Sequence, residues 1–104
     1  MKFLVLVKVR RDARITPELA EAHKRVMLEQ MEKGLAESVY IFAGRGAPDG
    51  MLILNADTPV QLNELVLSAP GFSVCDLEVH ALGDFAKLAD QLIDMLKKSG
   101  GSTT

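Results

Sequence analysis

The sequence predicts an α+β sandwich, with four strands and two helices in the order β-α-β-β-α-β and a third helix after the last strand. Three observations predict it. The segments KFLVLVKVR and FSVCDLEVHAL are rich in apolar and β-branched residues, with charges falling on one parity. Two Thr-Pro pairs, Thr16-Pro17 and Thr58-Pro59, each open a helical pattern. Between them, Ala47-Pro48-Asp49-Gly50 reads as a turn joining two strands into a hairpin.

Each element has a local reason. The first strand spans residues 2–10, with Lys2, Lys8 and Arg10 on the same parity. In the first helix, Thr16 caps and Pro17 takes the first position, where its missing N–H costs nothing. Glu18 and Glu21 follow in the first turn, where the helix dipole favours negative charge. The pattern carries this helix to about Leu35, with Gly34 marking its end. Val39 to Ala43 is the second strand and Met51 to Ala56 the third. The helix opened by Thr58-Pro59 runs to about Ser68 and is broken by Ala69-Pro70-Gly71. Phe72 to Leu82 is the fourth strand, and Asp84 caps a helix ending near Lys98. This order is the ferredoxin-like split βαβ pattern, an antiparallel sheet with helices on one face. Residues 1–98 form one domain, and 99–104 are expected to be a flexible tail.

With 104 residues, 48% of them hydrophobic, the chain can build one core without disulfide or metal staples. A domain of this size leaves much surface exposed, which an oligomer would bury. The net charge of −2, with no basic patch interleaved with aromatics, argues against nucleic acid. Phe3 to Val7 is too short an apolar run for a signal peptide, and no stretch is long enough to span a membrane. The single cysteine, Cys75, cannot form an internal disulfide, so a reducing cytoplasm is the expected compartment.

The opening MKFLVLVKV, the Glu- and Lys-rich first helix and above all SAPGFSVCDLEVHAL resemble the muconolactone isomerase-like proteins. Pro70, Phe72, Asp76, Leu77, Glu78 and Val79 carry the likeness, which covers roughly residues 1–83. The resemblance implies a dimeric α+β barrel, in which two sheets pack face to face, and proton transfer on a small lactone. It also admits relatives that are cofactor-free monooxygenases or have no known activity. Two departures stand out: Gly71 where a large apolar residue is usual, and the regular helix over 84–98.

Two sets of residues are candidates for chemistry. Asp76, Glu78 and His80 share one parity of the fourth strand, together with Phe72 and Val74, on the face away from the helices. They form either a half-solvated or dimer-paired sheet face, or a carboxylate–imidazole cluster for proton transfer. A metal site is a third reading, but no second histidine lies near in sequence, and no metal is expected. His23 and Gln30 fall on the apolar stripe of the first helix, with Leu19, Val26 and Met27. They are either hydrogen-bonded within the core or line a small-molecule pocket between helix and sheet. In the pocket reading His23 carries a proton, and Gln30 and Tyr40 position the ligand. Cys75 lies on the helix-facing side and is expected to be inert. Met27, Met31 and Met51 read as core. Leu62, Leu65 and Val66 form the buried stripe of the second helix. Leu88, Leu92, Met95 and Leu96 form a stripe on the third that suits a neighbouring subunit.

Nucleotide and haem motifs are absent, and Gly44-Arg45-Gly46 lacks the spacing of a phosphate loop. If the protein is an enzyme, cofactor-free isomerisation of a small cyclic metabolite is the expected reaction. A cofactor-independent monooxygenase is the enzymatic rival, weakened by the small number of aromatic residues. A non-catalytic ligand-binding or structural oligomer subunit is the other rival. A small-molecule ligand and a second copy of the chain are the expected partners.

Overall fold

The computed structural model describes residues 1–44 and 49–100. Its elements are β1 (Lys2–Val9), α1 (Pro17–Glu32), β2 (Ala36–Ile41), β3 (Gly50–Asn55), α2 (Pro59–Ser68), β4 (Cys75–Leu82) and α3 (Phe85–Lys98), with a 3₁₀ turn over Pro70–Val74. The four strands form one antiparallel sheet in the order β2-β3-β1-β4. This is the ferredoxin-like arrangement expected from the element order. Ala47 and Pro48 of the expected Ala47–Gly50 turn, and Arg45 and Gly46 of Gly44-Arg45-Gly46, lie outside the described residues, as do the last four residues of the tail.

Both Thr-Pro starts form as the sequence predicts. The Thr16 hydroxyl accepts from the Leu19 N–H at 3.1 Å, and Thr58 accepts from the Gln61 N–H at 3.1 Å. Asp84 does the same for α3, accepting from the Lys87 N–H at 3.0 Å. The end of α1 comes earlier than Leu35. Gly34 takes φ +73°, the Leu35 N–H bonds the Gln30 carbonyl at 2.8 Å, and the Gly34 N–H bonds that of Met31 at 3.1 Å. This paired closure stops the helix at Glu32 and frees Ala36 to start β2. That strand begins before the expected Val39 because it contains an irregularity between Glu37 and Tyr40, where Ser38 adopts φ +53°.

The central strand β1 divides the molecule. Phe3, Val5 and Val7 face the helices, opposite Leu54, Leu52 and Gly50 of β3 and Ala81, Val79 and Leu77 of β4. Val5, Leu52 and Leu54 are sealed from solvent and form the core with Met27, Ala36, Ala69 and Phe72. Burying each of these larger side chains contributes roughly 1.5–3 kcal/mol. Leu62, Leu65 and Val66 of α2 pack against this core as expected. Of the three methionines read as core, Met27 is buried, Met31 is 43% exposed, and Met51 lies on the opposite sheet face beside Leu6.

The fourth strand starts at Cys75 rather than Phe72. Pro70 opens a tight turn in which the Phe72 N–H bonds the Ala69 carbonyl at 3.2 Å. Phe72 is therefore buried on the helix side, not on the outer face that strict alternation from Leu82 implies. Asp76, Glu78 and His80 do lie on the outer face, paired with Lys8, Leu6 and Leu4 of β1.

The outermost helix, α3, carries no buried residue. Phe85, Leu88, Leu92, Ile93, Met95 and Leu96 are all exposed along one side. Among the described residues, no helix is long and apolar enough to cross a membrane.

Gln30 ties α1 to α2. Its side-chain N–H groups donate to the Leu65 carbonyl at 3.0 Å and the Ser68 hydroxyl at 2.8 Å, while its buried Oε1 has no partner. Ser68 also donates to the Leu65 carbonyl, so that oxygen keeps a donor without Gln30. Gln30→Met, which retains volume and removes the orphan oxygen, should change the unfolding free energy by less than about 1.5 kcal/mol. Gln30→Ala should cost about 2 kcal/mol or more by leaving a void. Urea denaturation of both variants checks this; equal losses would mean that the amide's hydrogen bonds, not its bulk, hold the helices together.

Candidate functional site

A cavity of about 420 Å³ opens between α1 and the helix-facing side of the sheet. That volume lies within the usual range for small-molecule sites. Its walls come from β1 (Val7, Val9), from α1 (Leu19, Met27) and from the 3₁₀ turn (Phe72, Val74). His23 and Lys24 also line it, Lys24 with its side chain exposed at the mouth.

His23 is held from two sides by the turn. Its Nδ1 accepts from the Gly71 N–H at 3.0 Å, and its ring meets that of Phe72 edge to face with centroids 4.7 Å apart. An Nδ1 that accepts cannot carry the proton, so the neutral ring carries it on Nε2. Burial lowers the His23 pKa below its ordinary value. The Gly71 N–H, aimed at a lone pair that protonation would consume, acts in the same direction. His23 therefore stands in the cavity as a neutral imidazole with an N–H donor at Nε2, and that donor has no hydrogen-bond partner among the described residues.

Gly71 is what makes this possible. A Cβ at that position would lie 2.6 Å from both Cγ and Nδ1 of the His23 ring. The large apolar residue expected here from the resemblance would occupy the imidazole's own space. The turn is anchored in turn by Arg10, whose guanidinium donates to the Ser73 carbonyl at 2.7 Å and whose N–H bonds the Val74 carbonyl at 3.0 Å. Cys75 closes the arrangement, its thiol donating to the Gly71 carbonyl at 3.4 Å. Burial pushes that thiol's pKa up, which keeps it protonated and unreactive.

The structure separates the other expected residues from His23. Gln30 does not line the cavity; it points to α2, because two turns of α1 carry it past the sheet cleft and under the second helix. Tyr40 borders the cavity but is 62% exposed and pairs with Met51 in the sheet, so it stands at the rim. Asp76, Glu78 and His80 lie on the opposite side of the sheet. His80 Nε2 is 3.5 Å from Glu78 Oε2 and Arg10 is 3.9 Å from Asp76, with every one of these side chains about half exposed or more. Among the described residues, no group of three His, Cys, Asp or Glu side chains is placed to hold a metal ion. Sequence reasoning found His23 but missed its two partners, Gly71 and Phe72. The available signal was Ala69-Pro70-Gly71, a helix breaker immediately before a lone aromatic residue.

A single antiparallel sheet in ferredoxin-like order, with a cavity between its first helix and its inner face, defines the class: small α+β proteins built as one covered sheet. Within that class the fold is muconolactone isomerase-like. The chain is similar to the crystal structure of muconolactone isomerase, with a TM-score of 0.67 over 81% of this chain and 90% of that one. The two sequences are 19% identical, so the likeness is one of fold. No protein-family model matches the chain, and no curated protein matches it.

The contact between Gly71 and His23 is open to a double-mutant cycle. Gly71→Ala should cost about 1–3 kcal/mol of stability, the usual penalty for forcing extra volume into a packed site. In a His23→Ala background the new methyl has room, and most of that cost should vanish. Chemical denaturation of the four proteins checks this; strictly additive losses would show that the ring and the glycine do not compete for the same space.

Proposed function

We propose that this protein is a cofactor-free isomerase that shifts a proton on a small cyclic metabolite bound between α1 and the sheet, with His23 as its catalytic residue. The observation that carries this reading is the Nε2–H of a neutral, half-buried imidazole standing without a partner among the described residues, beside a mainly apolar cavity. A neutral imidazole is a suitable electrophile: it can polarise a carbonyl by hydrogen bonding without first having to lose a charge. In the proposed step the ligand's carbonyl oxygen accepts from Nε2–H, and a carbon-bound proton next to the carbonyl leaves to water at the cavity mouth. The enolate formed is stabilised by His23 and is reprotonated at the far end of the conjugated system. The proton count is unchanged, and the double bond has moved. The fold of a lactone isomerase is consistent with this chemistry.

A second reading has its own support. The Nδ1 lone pair is occupied by Gly71, so His23 is not a ready base, and the described residues of the walls supply no carboxylate. Binding without turnover is the function that remains if water does not serve as base. A purely structural role fits less well, because the side chains of the described residues leave the cavity open. A β,γ-unsaturated butenolide in deuterated buffer distinguishes the two. Isomerisation with deuterium entering at the new C–H position, observed by NMR and lost in His23→Phe, is expected. Binding without exchange would leave a ligand-binding protein.

Assembly belongs to the same proposal. The outer face of the sheet presents Leu4, Leu6, Met51 and Ile53, all only partly buried, beside the Asp76, Glu78 and His80 row. On the inner face Val79 remains 44% exposed, and α3 exposes its whole apolar side. These surfaces suit a homodimer or larger homo-oligomer of a cytoplasmic protein, with sheets face to face and α3 on a neighbouring copy. Sedimentation at micromolar concentration should give a multiple of the 11.3 kDa chain mass. Asp76→Asn and Glu78→Gln should shift that assembly, or its pH dependence, more than turnover. A single-chain mass would remove the oligomer, and lost turnover with intact assembly would move the chemistry to the outer face.

A further inference from the structure

The cavity has a charge preference written into its walls. The lining that the described residues provide is almost wholly hydrocarbon, from Val7, Leu19, Met27, Leu52, Phe72 and their neighbours. Each polar side chain that the described residues contribute to that lining can be accounted for. The Cys75 thiol is spent on the Gly71 carbonyl, Tyr40 is mostly in solvent, and Lys24 is exposed at the mouth. His23 remains, and it offers one donor and no charge, because its other nitrogen is committed to the Gly71 N–H. An ionised carboxylate entering such a space would give up its water without meeting a buried cation among the described residues. An ester or ketone carbonyl needs only a single donor, and the rest of the molecule gains by leaving water.

We propose that this cavity selects an uncharged, hydrocarbon-rich cyclic ester or ketone, held by one hydrogen bond from His23 Nε2 to its carbonyl, and rejects the corresponding carboxylate. The inference rests on the reading of the cavity as the ligand site and does not require that the ligand be turned over. Gly71 is then a positioning residue for specificity: by carrying no side chain and donating its N–H to Nδ1, it fixes the ring and leaves the imidazole proton on Nε2. The rival occupant is an amphipathic anion whose tail fills the cavity while its head stays at Lys24 in solvent. Such binding would be screened by salt, since the lysine is exposed.

The test compares γ-decalactone with its ring-opened form, 4-hydroxydecanoate, by isothermal titration calorimetry on the full chain at low and high salt. The two probes share a carbon skeleton and differ in charge. The lactone is expected to bind at least about tenfold more tightly, with no dependence on salt, and His23→Phe should weaken it by about tenfold, as loss of one neutral hydrogen bond does. The wild-type pair decides charge selection even if His23→Phe does not fold. Equal or tighter binding of the hydroxy acid, weakening with salt, would overturn the inference and place an anion's head at Lys24, leaving the cavity as the ligand site. If neither probe binds, the inference and the reading of the cavity fall together. Lactone binding without isomerisation of any butenolide would sustain the inference and sink only the proposed reaction.

Discussion

Gly71 and the His23 ring approach so closely that no side chain fits between them, and much of the molecule is arranged around that contact. Holding it requires α1 to sit directly over the 3₁₀ turn. That seat is prepared by Pro70, which follows the end of α2 and tightens the chain, and by Phe72, which drops into the core and meets the imidazole edge to face. Arg10 and Cys75 fasten the turn to the ends of β1 and β4. The turn thus serves as both a core element and the floor of the cavity. A change there is felt in packing and in the state of the imidazole together.

The contrast between the two histidines follows from where each ring lies. His80 is on an open sheet face, where water screens its neighbour Glu78 and keeps their attraction small. His23 has no charged partner in its hydrogen bonding, and its ionisation is disfavoured because its ring is withdrawn from water and bonded through its lone pair.

Surface coverage is unequal across the fold. Helices α1 and α2 cover the inner face over β1 and β3, where Val5 and Leu54 are fully buried, but the cover thins toward the far end of β4, where Val79 is 44% exposed. The outer face is part apolar and part charged, and α3 presents its apolar side to solvent. Local signals are satisfied in each case, since the strand alternates and the helix is capped by Asp84. What is incomplete is the burial those apolar stripes were built for.

The sequence by itself determined the elements and their order. Thr16-Pro17, Thr58-Pro59, Asp84 and Gly34 act through bonds to residues within a few positions, and the alternation of β1 acts through the geometry of a single strand. Such effects are local, so they can be read from neighbours in the chain. It also marked His23 as a polar residue on an apolar stripe and set Asp76, Glu78 and His80 on the face away from the helices. Tertiary structure decided what those residues do. The 3₁₀ turn replaced the first part of the fourth strand and carried Phe72 to the core, and α1 turned Gln30 toward Leu65 and Ser68 while leaving His23 at the cavity. The partner that assigns the imidazole proton, Gly71, is 48 residues away along the chain. No local pattern carries a contact of that range; it exists only once the packing of helix on turn has brought the two together.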